Sequence, residues 1–133
     1  WADKLFGVTK EESVVLVGRE EPLVPEALDQ FLQDFPDKKR AVFAVNTHTL
    51  FLVLKEVERR KLRMPEDLGV CGYDAVGWSE LVYPGISSIR QPMDQMGVNA
   101  GELIINCLRD GTMSHEYRAL DGTLAFRKST QFH

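Results

Sequence analysis

Two polar residues stand where apolar runs stop. Asn46 follows Ala41 to Val45 (AVFAV), and Asp74 follows a run carrying Leu68, Val70, Cys71 and Tyr73 (LGVCGYD). Runs this continuously apolar read as parallel strands buried on both faces. In open α/β sheets, ligands bind outside the carboxyl ends of such strands. An amide and a carboxylate on one edge can clamp vicinal hydroxyls, since the carboxylate accepts from two donors and the amide both donates and accepts. Each hydrogen bond to a charged partner contributes roughly 1.5–3 kcal/mol, enough to select a small polyol. The competing reading makes Asn46 the neighbour of a helix cap and Asp74 the cap of the turn after it. For either residue alone the two readings weigh the same; the pair on one edge favours the ligand.

Other chemistries find less support. His48, His115 and His133 are scattered, with no cysteine or carboxylate at ligand spacing, so no metal is expected. Serines 13, 79, 87, 88, 114 and 129 lack the Gly-x-Ser-x-Gly elbow, and no phosphate-cradling glycine loop is present. Asp74 as general base has no second group at a diagnostic spacing, so neither an enzyme nor a cofactor is expected. Lys38-Lys39-Arg40 and Arg59-Arg60-Lys61 follow helix ends, where cations answer the dipole. They read as helix stops, and the net charge of −4 argues against nucleic-acid binding by this chain itself. Cys71 and Cys107 read as free, buried thiols, which fits a reducing, cytoplasmic setting. No run approaches the roughly 18–20 apolar residues of a membrane span, and Trp1-Ala2-Asp3-Lys4 does not open a signal peptide.

The elements that must position Asn46 and Asp74 follow from periodicity. Trp1 to Phe6 reads as the end of a helix closed by Gly7, with no cap before it, so further sequence is expected upstream. Val14 to Val17 is a strand. The next helix has Pro25 in its first turn, repeats Leu28, Phe31, Leu32 and Phe35, and stops at Pro36. After the strand 41–45, Thr47 is the expected N-cap of a helix running from about His48 to Arg60. Its stripe is Leu50, Leu54 and Val57 with Phe51 and Val53 beside it, while Lys55, Glu56, Glu58, Arg59 and Arg60 take the other side. Strand–helix–strand–helix–strand over 14–73 predicts an α/β fold with a parallel sheet and right-handed crossovers. Beyond Asp74 come a helical turn at Trp78 to Val82, a short strand at Ile86 to Arg90, and an amphipathic helix from Met93 to Leu108. The tail from Tyr117 to Arg127 is extended, with Asp121-Gly122 either a hairpin turn or a kink, and Ser129 to His133 is expected to fray. Trp78 and Leu81-Val82-Tyr83 are apolar for a turn region. Either the sheet buries them, or they form a partner-facing surface with Phe51 and Leu52.

The blocks AVFAVNTHT, RKLRMPEDLGVCGYD, LVYPGISSIRQPMDQMG and LDGTLAFRKST resemble the C-terminal part of lactose-repressor/galactose-repressor type transcription regulators, from about Arg40 to Thr130. The resemblance implies one incomplete lobe of a type I periplasmic-binding-protein-like fold, a three-layer αβα parallel sheet. Residues 1–91 would form the C-terminal lobe, and residues 92–133 a helix and strand returning to the other lobe. It implies an effector, a sugar or sugar derivative, contacted by Asn46, Asp74 and Gln91, the last matching the polar residue after the family's T-T-I-R/K block. Two positions depart from the pattern: Thr47 replaces the usual acid, and Ala75 follows Asp74. The resemblance further implies a homodimer through Phe51, Trp78 and Val82, and a bacterial regulator whose DNA binding, through a headpiece absent from this chain, is controlled allosterically. The alternatives are a sugar-binding protein of a periplasmic transporter and, further off, an α/β enzyme. The helix from Met93 would pack in the other lobe, leaving its apolar stripe open to self-association.

Overall fold

Residues 23–74, 77–111 and 116–132 are described by a computed structural model. The helix end at Trp1 to Phe6 and the strand at Val14 to Val17 lie outside them, as does Ala75. The first described helix, α1 (Leu23–Asp34), turns Val24 and Leu28 inward and packs Phe31 and Leu32 against the same core. Pro25 falls in its first turn, where a missing N–H costs nothing. Arg40 donates to the Leu32 carbonyl at 3.1 Å, so this member of the basic cluster does answer a helix end.

Strand β1 (Ala41–Ala44) leads into α2 (Thr47–Arg60), which returns the chain to β2 (Gly69–Tyr73). The N-cap of α2 is Asn46, not Thr47. Asn46 is extended (φ −156°), and its Oδ1 accepts from the Thr49 N–H at 2.8 Å. The structure also decides two further residues of α2. Leu52 is core rather than partner-facing, and Glu56 is buried rather than solvated. Glu56 can be buried because Arg59 and Arg60, three and four residues on, both donate to its carboxylate. Arg60 also reaches Asp29 and the Pro25 carbonyl, stapling α2 to α1.

The sheet runs β1-β2-β3-β4, with β3 spanning Ser87–Arg90 and β4 spanning Thr123–Ala125. The first three strands are parallel, as the repeat requires; β4 is antiparallel to β3, so the sheet is mixed. Val70, Leu68, Ile86 and Leu50 are fully buried at its centre. A Cβ on Gly72 would lie 2.4 Å from Leu50 Cδ2, which shows how closely α2 lies on that face. Phe43 and Cys71, paired in register, point to the opposite face, where Phe43 stays 49% exposed. Among the described residues, then, the helical layer on that second face is not seen.

The 3₁₀ turn Trp78–Glu80 stands where a helical turn was expected. Helix α3 (Met93–Asp110) ends at Gly111, whose positive φ of 66° is the usual glycine stop, and none of its residues is buried. Residues 116–122 pair with no strand, so Asp121-Gly122 does not turn a hairpin. The expected fraying at Ser129 is also corrected. Ser129 is fully buried in a 3₁₀ turn (Lys128–Thr130), donating to the Val70 carbonyl at 2.6 Å and accepting from the Ser87 N–H at 2.9 Å. Those two bonds tie the tail across β2 and β3.

Candidate functional site

Parallel strands deliver their carboxyl ends to one edge, and β1, β2 and β3 are consecutive neighbours. Asn46 comes just after β1, Asp74 directly after β2 and Gln91 directly after β3. Ala44 is level with Gly72, and Tyr73 with Ile89, so all three polar residues stand at the same edge. Asn46 is exposed, and Asp74 and Gln91 are half-buried. The rim is therefore open, with one amide, one carboxylate and a second amide in strand order.

Each is held differently. Asn46 is a cap and a rim residue at once: Oδ1 accepts from the Thr49 N–H, which leaves the amide Nδ2 as a donor and one lone pair of Oδ1. Asp74 has φ 59°, the left-handed region that Asp tolerates better than most residues. Its N–H donates to the Ile89 carbonyl at 2.8 Å, and its own carbonyl accepts from Thr47 Oγ1 at 3.3 Å. Gln91 lines a groove of about 250 Å³ with Tyr73, Pro92, Met96, Tyr117 and Arg118. The apolar pattern did not single out Tyr73, Tyr117 or Arg118 for a site. Tyr73 could have been found as the polar-tipped aromatic next to Asp74; the other two follow a helix in a stretch without periodicity. Arg118 is not a free cation, because it donates to Asn99 at 2.7 Å and pairs with Glu102 and Glu116. The guanidinium in turn holds the Glu116 carboxyl below its usual range.

The three residues expected at a partner surface part company. Phe51 and Trp78 stack with ring centroids 4.4 Å apart and planes 18° from parallel, and Phe51 is 48% exposed. Val82 and Trp78 are partly buried and lean on the core, while their neighbours Leu81 and Tyr83 stand out in solvent. Burial pushes the Cys71 thiol up. Among the described residues no cluster of three metal-ligand side chains is found, and no helix is long and apolar enough to cross a membrane.

Against known proteins, residues 6–130 match the periplasmic binding protein-like domain family. The HTH-type transcriptional regulator KdgR of Bacillus subtilis is 30% identical over 102 residues, 77% of this chain and 30% of KdgR. A LacI family transcriptional regulator from Arthrobacter sp. FB24 superposes with a TM-score of 0.76 at 26% identity, covering 98% of this chain and 48% of that one. The transcriptional regulator CelR in complex with cellobiose gives a TM-score of 0.76 at 27% identity, over 96% of this chain and 39% of that one. The chain thus spans about a third of the curated relative and at most about half of the solved ones.

Proposed function

The chain belongs to the periplasmic binding protein-like domain family, in the branch of LacI-type regulators, and we propose that it is the effector-sensing part of a transcription regulator. It performs no chemistry. Its effector is a sugar or sugar derivative, held at the rim by the Asp74 carboxylate, Asn46 Nδ2 and the Gln91 amide. The observation that carries this reading is the alignment of those three groups beyond three neighbouring parallel strands. The cellobiose bound by CelR supports the ligand class.

In this reading residues 1–91 build one lobe. Of residues 92–133, α3 crosses towards the other; the strand expected to return there does not, since β4 pairs with β3 and the Lys128–Thr130 turn is tied to β2. Ligand between the lobes favours one arrangement of them, and DNA, bound by a headpiece outside this chain, feels only the ligand's differential affinity for the two arrangements. The regulator acts in the cytoplasm as a homodimer, with the Phe51–Trp78 stack and the flank at Val82 as the contact.

Asp74→Ala in the full-length protein is expected to weaken calorimetric binding of cellobiose, lactose or ribose by at least about 100-fold, since two charge-assisted hydrogen bonds are lost. Unchanged affinity would overturn the site.

A further inference from the structure

Asp74 is fixed at the rim from both sides. Its N–H is bonded to the Ile89 carbonyl of β3, and its carbonyl takes the Thr47 hydroxyl from the start of α2. Thr47 is itself immobilised as the first residue of α2, directly behind the Asn46 cap. That cap is closed twice, by the Thr49 N–H on Asn46 Oδ1 and by the Leu50 N–H on the Asn46 carbonyl at 3.0 Å. The Thr47 hydroxyl therefore links the loop that carries the amide to the loop that carries the carboxylate.

The link matters because of the backbone it holds. At φ 59° Asp74 occupies the left-handed region, which Asp tolerates but which is less populated than the extended alternatives open to it. With its carbonyl freed, Asp74 can turn about its N–Cα bond, the rotation that swings the carboxylate away from Asn46 and that the anchored carbonyl blocks. Two groups that grip one small molecule must keep a fixed separation, and a misplacement of about 1 Å is enough to spoil a polar site. A donor of this kind, on a side chain short enough to be rigid, sets that separation.

The geometry points to Thr47 as a positioning residue of the ligand rim: through the Asp74 carbonyl, its hydroxyl holds the carboxylate in register with Asn46. The inference rests on the rim being the effector site.

The test uses the full-length protein and whichever of cellobiose, lactose or ribose the wild type binds by calorimetry. Thr47→Val keeps the shape and removes only the donor. It is expected to weaken binding about five- to tenfold, and Thr47→Ser to restore it. Without ligand, the Asp74 amide should exchange about tenfold faster in Thr47→Val than in Thr47→Ser. In an Asp74→Asn background, Thr47→Val should change affinity by less than about twofold, because a residue acting through Asp74 has little left to position. Wild-type affinity in Thr47→Val overturns the role of Thr47, as does an undiminished loss in the Asp74→Asn background, which would mean direct contact with the ligand. If Asp74→Ala abolishes binding in the same experiments, the rim itself stands. Wild-type affinity in Asp74→Ala, or no binding of any of the three sugars at about 10 mM, overturns the rim and Thr47 with it.

Discussion

Gly72 is a glycine for a reason unrelated to backbone freedom. It sits within β2, and the space its side chain would take is filled by Leu50, with Cδ2 only 2.4 Å from where a Cβ would stand. Leu50 is fully buried and cannot swing aside without disturbing the core around Val70 and Ile86. Gly72→Ala is therefore expected to destabilise the domain by about 1–3 kcal/mol, read from urea unfolding, as overpacking does. A second residue-scale effect depends on pH. Arg63 donates to Asp67 through its side chain and its backbone N–H, and together these hold the Asp67 carboxyl down at about 2. The unfolded value is about 3.9, so the folded state binds the proton less tightly. The pair's contribution is present above that value and is lost as pH falls towards 2. Arg63→Gln should accordingly flatten the stability profile between about pH 4 and 2, with little change in its shape above. A parallel loss in both proteins across that range would show that the pair contributes nothing.

At the scale of elements, one buried hydroxyl ties the tail to two strands at once, beside the β3–β4 pairing and the Arg127 and Thr130 contacts. Ser129 Oγ serves the Val70 carbonyl and the Ser87 N–H together, joining β2, β3 and the last turn. Ser129→Ala would leave the Ser87 N–H and the Val70 carbonyl short of a partner away from water, at a cost of about 1–3 kcal/mol. Limited proteolysis should then release the residues after β4 first; a wild-type cutting pattern would count against the tie. This bond was illegible in the sequence because its partners lie 42 and 59 residues away, and a polar tail with no periodicity looks the same frayed or docked. The described strands and helices were legible because continuous apolar runs and a 3.6-residue repeat are local signals, and the unit from β1 through α2 to β2 follows from them. Capping was half legible: Asn46 and Thr47 are both good cap residues, and only the extended backbone at Asn46 decides between them. Glu56 was misplaced because its burial depends on Arg59 and Arg60 folding back onto it, not on its own polarity. Of the candidate site, Asn46 and Asp74 could be read because each follows the end of an apolar run. Gln91 came only through the family resemblance, and the groove beside it closes through residues that no pattern marked.

For the whole molecule, the distribution of apolar surface decides how copies meet. Helix α3 buries none of its residues, and Ile104, Leu108 and Met93 stand 60%, 79% and 57% exposed along one stripe. Asn99, Leu103 and Cys107 take the partly covered side, towards Arg118. Around the Phe51–Trp78 stack lies a second apolar region, extended by Leu81 and Tyr83. Patches of this kind on one small chain predict association by two routes, one through the stripe that the other lobe would cover and one through the proposed dimer surface. They can be separated. The 133-residue chain alone should form concentration-dependent oligomers by sedimentation velocity, and Ile104→Lys with Leu108→Lys should strip these back to the dimer, because two charges cannot be buried unpaired in an apolar contact. Phe51→Asp should instead remove the dimer and leave the larger species. In the full-length protein the first pair of substitutions should perturb the lobe itself, while Phe51→Asp should yield a folded monomer that still binds its sugar. A full-length Phe51→Asp protein that remains dimeric would place the contact elsewhere.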